Sequence, residues 1–148
     1  MRKLISLQVA IGFLIAACSL VIAGSSFAES YVVIVNSGNS VESMSRKQVS
    51  KMLLGKTAAW TDGVEVTALD LPEDSAVRSA FSDAVLKKST DRVKSYWLKV
   101  VFSGRGTPPD ELADSATVVS AVAKNRGAIG YIASGTALTG VKTISVTE

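Results

Sequence analysis

The stretch Val64–Leu86, VEVTALDLPEDSAVRSAFSDAVL, contains the change of pattern that decides the fold. In its first part Val64, Val66 and Ala68 recur at every second position, which is the period of a strand with one buried face. Pro72 cannot donate to a strand ladder and therefore ends this strand. Beyond it, apolar residues recur at the three- and four-residue intervals of a helix face: Val77, Ala80, Phe81, Ala84 and Val85. We predict a strand that leads directly into an amphipathic helix.

The joint between this strand and this helix is the candidate binding site. Asp74 or Ser75 is placed to cap the helix, and the first N–H groups of a helix have no acceptor within it. These groups and the positive end of the helix dipole attract small oxyanions. We predict an anion site made of the Ser75 hydroxyl, the N–H groups of Ala76 and Val77, and the guanidinium of Arg78. A plain capped helix with Arg78 in solvent is the alternative.

The first 28 residues have the pattern of a secretory signal. A short basic start, Met1–Lys3, precedes the almost wholly apolar run Leu4–Ala23, and Ser26–Ala28 is a small-x-small cleavage pattern. Cleavage after Ala28 leaves residues 29–148 as one exported domain. The expected location is therefore the periplasm.

Two alternatives to this cleavage stay open. Ile15–Cys18 resembles a bacterial lipobox, in which Cys18 is lipidated, although Leu20–Ala23 remains apolar after it. The run Leu4–Ala23 is also as long as a minimal membrane span of roughly 20 residues, so an uncleaved anchor is the third interpretation. All three place the domain outside the cytoplasm.

The charge of the chain belongs largely to the leader. The formal net charge is +3, from 16 Lys and Arg against 13 Asp and Glu. Arg2 and Lys3 lie in the leader, which holds no acid, so 14 basic residues face 13 acidic ones in residues 29–148. A nearly neutral domain without a basic cluster has no electrostatic footprint for nucleic acid.

The reactive residues of most hydrolases are missing from the sequence. It contains no histidine, and Cys18 is its one cysteine. Imidazole general-base catalysis, Ser/His/Asp triads and Cys/His metal sites are thereby excluded. The adjacent carboxylates Glu73 and Asp74 are the remaining acid–base candidates, but such a pair is more typical of a helix start. We expect a non-enzymatic protein without cofactor or metal.

The rest of the chain alternates strand and helix patterns. Tyr31–Val35 is a continuous apolar run that suits a central strand, and Ser45 with Gln48 forms a capping box before a short helix. A later helix begins at Ser89 or Thr90. Its predicted buried stripe is Val93, Trp97, Val100 and Val101. A helix near 113–124 and strands at 128–132 and 141–146 complete an α/β class with a mixed sheet flanked by helices.

Several stretches in the same order resemble a known family. They are Met52–Lys56, Trp60–Gly63, Asp74-Ser75 in a helix that reaches Phe81, the Tyr96-Trp97 pair, Ser103–Pro109, and Val122 with Gly127–Tyr131. Together they resemble the phosphate-binding protein of bacterial phosphate ABC transporters, and the chain is similar to small single-lobe members of that superfamily. The resemblance implies one lobe of a type II periplasmic-binding-protein-like fold. It also implies a phosphate or related oxyanion ligand and a link to phosphate transport.

The resemblance also implies differences at the binding loop. In the family this loop reads roughly Arg-x-Asp-Gly-Ser-Gly-Thr, and the matching stretch here is Leu71–Arg78. Ser75 matches the serine, whereas Leu71 replaces the arginine and Val77 the threonine. The first lobe of the family is missing. A ligand-free interaction or sensory lobe in an envelope complex is therefore the alternative function, with self-association or a transporter or envelope protein as partner.

Overall fold

A computed structural model describes residues 30–148 as an α/β unit. The predicted signal, its cleavage site and Cys18 lie outside these residues. The strands are β1 Tyr31–Asn36, β2 Ser43–Ser45, β3 Thr67–Asp70, β4 Asp110–Glu111, β5 Ala128–Ala133 and β6 Val141–Thr147. The helices are α1 Arg46–Leu53, α2 Ala76–Phe81, α3 Thr90–Phe102 and α4 Ser115–Lys124, and a π-helical turn, Ser82–Leu86, continues α2.

The strands of residues 30–148 form one mixed sheet in the order β2-β6-β1-β5-β3-β4. β1 runs antiparallel to both β5 and β6, whereas β3 runs parallel to β5 and to β4. β2 is parallel to β6. The predicted α/β class is confirmed, and Tyr31–Val35 lies in the interior of the sheet, as its continuous apolar run indicates.

Helices cover both faces of this sheet. Neighbouring residues of a strand point to opposite faces, and β5 shows it directly. On one side, a Cβ built on Gly130 would lie 2.8 Å from Cγ1 of Val118 in α4. On the other, the ring of Tyr131 stacks on Phe81 of α2, with centroids 3.9 Å apart. Two helical layers therefore enclose the sheet.

The helix starts follow the sequence closely. Ser45 caps α1 in the predicted capping box, because its Oγ accepts from Gln48 N at 3.2 Å while Gln48 Oε1 accepts from Ser45 N at 2.8 Å. Ser75 and Ser89 cap α2 and α3. Each of these side chains satisfies an N–H that the helix itself leaves free.

Of the alternating residues predicted to form one strand, Ala68 lies in β3 of the main sheet, whereas Val64 and Val66 precede it. β3 begins at Thr67, and the residues before it pair with the preceding loop. Val66 N donates to Ala58 O at 2.9 Å, and Trp60 N donates to Val64 O at 2.8 Å. The first half of the predicted strand therefore belongs to a local hairpin that leads into the sheet.

The stripe predicted for α3 is partly wrong. Val93 and Trp97 are buried, and Val100 is half-buried. Val101, however, is 48% exposed, because no element of residues 30–148 covers the last turn of α3 on that side. None of the helices in residues 30–148 combines the length and the apolar character needed to cross a bilayer.

Candidate oxyanion site

The predicted site lies where β3 ends and α2 begins. β3 ends at Asp70, and a turn closed by a 2.9 Å bond from Ser75 N to Pro72 O leads into the helix. β3 is parallel to β4 and β5, so their carboxyl ends share this edge of the sheet. Ligands of open α/β sheets bind outside such an edge.

Ser75 is the N-cap of α2. Its Oγ accepts from the backbone N–H of Arg78 at 3.3 Å. This bond leaves the hydroxyl proton of Ser75 free to donate to another group. The N–H groups of Ala76 and Val77 belong to the first turn, where a helix supplies no acceptor. Ala76 is exposed, whereas the side chain of Val77 is buried in the core. Three neutral donors are therefore close together at this helix start.

The side chain of Arg78 is buried under the joint and not in solvent. Its Nη1 donates to Leu71 O at 2.8 Å and to Glu111 Oε2 at 2.9 Å. Its Nη2 lies 3.2 Å from Asp70 Oδ2. The alternative prediction, a plain capped helix with Arg78 in solvent, is thus right about the cap at Ser75 and wrong about Arg78. The side chain of Arg78 connects α2 to the end of β3 and to β4.

Asp70 connects this arginine to the core of the sheet. Its Oδ1 accepts from the Tyr131 hydroxyl and from Leu71 N, the latter at 2.9 Å. Burial raises the pKa of the Asp70 carboxyl, and the hydroxyl of Tyr131 and the charge of Arg78 offset part of this rise. Burial, with the nearby carboxylate, also raises the pKa of Tyr131 above its usual range. Tyr131 therefore both packs against Phe81 in the core and orients Asp70.

The two acids of the joint have other surroundings. Both carboxylate oxygens of Glu73 accept from Lys94 Nζ at 3.1 Å. Asp74 is exposed, and Ser75 takes the capping position. With Arg78 and Lys94 as the basic groups, the acids Asp70, Glu73, Asp74 and Glu111 leave a local excess of negative charge. This excess of acids opposes an anion at the joint, whereas the start of α2 and the guanidinium of Arg78 favour one.

Sequence reasoning missed the two carboxylates that hold Arg78. Glu111 lies 33 residues away from Arg78 in a two-residue strand with no apolar alternation. Asp70 was visible as the polar residue that ends an apolar strand, which is a usable signal. Within residues 30–148 no group of three or more His, Cys, Asp or Glu side chains is arranged to hold a metal ion.

Residues 30–148 thus form one α/β unit with a Ser75-capped helix start at the carboxyl edge of its sheet. The chain is similar to an ABC-type phosphate transport receptor from Vibrio cholerae, with a TM-score of 0.62 and 18% identity over 78% of this chain and 45% of that one. A putative phosphate ABC transporter substrate-binding protein from Clostridium perfringens, solved with bound phosphate, matches with a TM-score of 0.64 and 20% identity. The match covers 81% of this chain and 46% of that one. PstS from Borrelia burgdorferi matches with a TM-score of 0.62 and 15% identity, over 80% of this chain and 47% of PstS.

These similarities define the fold. The chain has the fold of one lobe of the phosphate-type substrate-binding proteins, and it spans less than half the length of the chains it matches. No protein-family model matches the sequence, and no curated protein does. The first of these neighbours is a transport receptor and the second a putative transporter substrate-binding protein.

Proposed function

We propose that this protein is an exported, non-catalytic lobe that binds phosphate or a related oxyanion at the start of α2, in the service of phosphate ABC transport. The observation that carries the proposal is the Ser75-capped helix start at the carboxyl edge of a sheet with the phosphate-receptor fold. A similar structure contains bound phosphate. The leader pattern supports a periplasmic location.

The proposed contacts are of two kinds. The Ser75 hydroxyl and the N–H groups of Ala76 and Val77 donate to the anion from the first turn, where the helix dipole adds to their attraction. Arg78 contributes a charge-assisted bond from below the joint. The hydroxyl and N–H donors lie on consecutive residues of one helix start, whereas Arg78 already pairs with Asp70 and Glu111.

The proposed site is half of a cleft. Binding sites of this kind lie between two surfaces, and the chain covers less than half of the receptors it resembles. The local excess of acids makes phosphate binding by the lobe alone weak. We propose that a second surface, from another copy or from a transporter or envelope protein, supplies the missing positive charge.

Calorimetric titration of the purified protein with phosphate, sulfate and arsenate tests this function. Ser75→Ala removes the hydroxyl donor, and Ser89→Ala is its matched control, because it removes an equivalent cap from α3, away from the joint. We expect the heat of phosphate binding to fall in Ser75→Ala and to stay unchanged in Ser89→Ala. Absence of heat at millimolar anion in the unmodified protein would contradict the proposal.

The second candidate is a lobe that has lost its ligand and serves as an interaction or sensory part of an envelope assembly. The pairing of Arg78 with Asp70 and Glu111 favours it, since the arginine is already neutralised without any ligand. Light scattering separates the two functions. A dimer that forms only with phosphate supports the shared cleft, whereas an envelope complex that ignores phosphate supports the interaction lobe.

A further inference from the structure

Glu111 lies between Arg78 and the solvent. It is the last residue of the edge strand β4, where its backbone is paired with Asp70. Its side chain is 53% exposed, whereas that of Arg78 is 9% exposed, and Oε2 lies 2.9 Å from Arg78 Nη1. Of the groups that hold the guanidinium, Glu111 is therefore the one that a solute arriving from water meets.

The charges around Arg78 contain one carboxylate more than neutrality requires. Asp70 is largely buried and already pairs with Arg78. Glu111 adds a second negative charge to the same guanidinium. Meanwhile Arg78 Nε is buried and has no acceptor among residues 30–148, which costs free energy because a buried donor has lost its water. The cluster thus combines a surplus carboxylate with an unused donor.

We propose that the Glu111 carboxylate is a built-in competitor for the anion site: it occupies the exposed side of the Arg78 guanidinium, and an oxyanion binds by displacing it. This inference rests on the proposed function. Displacement is inexpensive because Glu111 is half-exposed and turns into water, while Arg78 keeps Asp70 as its buried partner. Glu111 thereby sets the affinity of the site.

The proposed set of donors also selects the class of ligand. An anion that replaces Glu111 must offer one oxygen to Arg78 and further oxygens to the N–H groups of Ala76 and Val77 at the start of the same helix. Compact anions with several oxygens, such as phosphate, arsenate and sulfate, meet this requirement, whereas a halide has no separate oxygens to distribute. Chloride should therefore compete poorly for the site.

The test is phosphate titration of the purified protein and of two variants that each remove one negative charge from the region. Glu111→Gln removes the competitor but keeps the shape of the side chain. Glu73→Gln is the matched control, because Glu73 pairs with Lys94 at the surface and not with Arg78. We expect Glu111→Gln to bind phosphate about tenfold more tightly, the size expected from removing a unit charge close to a dianion. Glu73→Gln should change the affinity less than about threefold.

The outcomes distinguish this inference from the proposed function. Equal phosphate affinity in the unmodified protein and in Glu111→Gln overturns the competitor role and leaves the anion site standing. An equal gain in both variants also overturns it, because the effect is then one of net charge. No binding in any of the three overturns the proposed function and this inference together. If Glu111→Gln does not fold, Glu111→Asp, which withdraws the charge by one methylene, should give a smaller gain, and no gain contradicts the proposal.

Discussion

Arg78 is the residue on which the two proposed functions differ. A guanidinium stays ionised in a protein, so its burial requires partners. Asp70 and Glu111 are those partners here, together with the carbonyl of Leu71. A buried pair of this kind holds segments in register even where it adds little net stability. The same arginine therefore orders the carboxyl edge and is the cation on which the proposed anion site depends.

Asp70 should give the folded state a characteristic dependence on pH. Its pKa is raised from 3.8, chiefly by burial, so the folded protein binds this proton more tightly than the unfolded chain. The stability that it contributes is full below pH 3.8 and is lost as the pH rises through the folded-state pKa. We expect the free energy of unfolding of the native protein, minus that of Asp70→Asn, to fall as the pH rises over this window.

Asp114 provides the control with the opposite sign. The Thr117 hydroxyl and backbone N–H lower its pKa from 3.8, so its contribution is present above that pH and is lost as the pH falls through the folded-state pKa. Denaturant unfolding of Asp114→Asn, a variant that keeps a capping side chain, measures this. If the free energy of unfolding of the native protein, minus that of Asp70→Asn, rises with pH, the raised pKa of Asp70 is contradicted.

Helices and strands differ in how far the sequence determines them. The starts of α1, α2 and α3 were predictable because a Ser cap acts within three residues of itself. The strand β4, Asp110–Glu111, was not predictable, because two charged residues carry no periodicity and pair only through the backbone of β3. Glu111, the exposed partner of Arg78, was missed for the same reason, since its position depends on that pairing. Helix caps could therefore be predicted from neighbouring residues, whereas the contact between Glu111 and Arg78 depends on the register of the sheet.

In helix α3 the apolar stripe predicted from the sequence extends further than the residues that are buried. Periodicity indicates the buried side of a helix but not how much of the helix its neighbours cover. Trp97 packs into the core, whereas Phe102, five residues further on, is 87% exposed. We expect Trp97→Ala to lower the free energy of unfolding by about 3 kcal/mol, as for other buried aromatics.

Phe102→Ala is the matched control for Trp97, because it removes an aromatic ring of the same helix that is not packed. Its free energy of unfolding should stay within about 0.5 kcal/mol of the native value. Urea denaturation followed by circular dichroism measures both variants. A large loss in Phe102→Ala would mean that another surface covers the end of α3 in solution.

For the whole molecule, the carboxyl edge depends on how closely α4 packs on β5. Gly130 allows this approach, since a Cβ at that position would lie 2.8 Å from Val118 Cγ1, and Val118 is fully buried. The next residue, Tyr131, carries the hydroxyl that orients Asp70. The packing of one helix is thereby connected to the geometry of the site on the opposite face of the strand.

Gly130→Ala tests this connection. The added methyl group forces the buried side chain of Val118 to give way against its neighbours, so we expect a loss of about 1–3 kcal/mol in the free energy of unfolding. Gly106→Ala is the control: its Cβ would lie 3.4 Å from Val100 Cγ1, an ordinary contact, and less freedom in the unfolded chain should leave the protein equally or slightly more stable. If β5 carries Tyr131 and Asp70 as a unit, Gly130→Ala should also shift the NMR resonance of the Arg78 Nε–H, which Gly106→Ala leaves in place. Loss of stability without that shift would mean that the site and the α4 layer are independent.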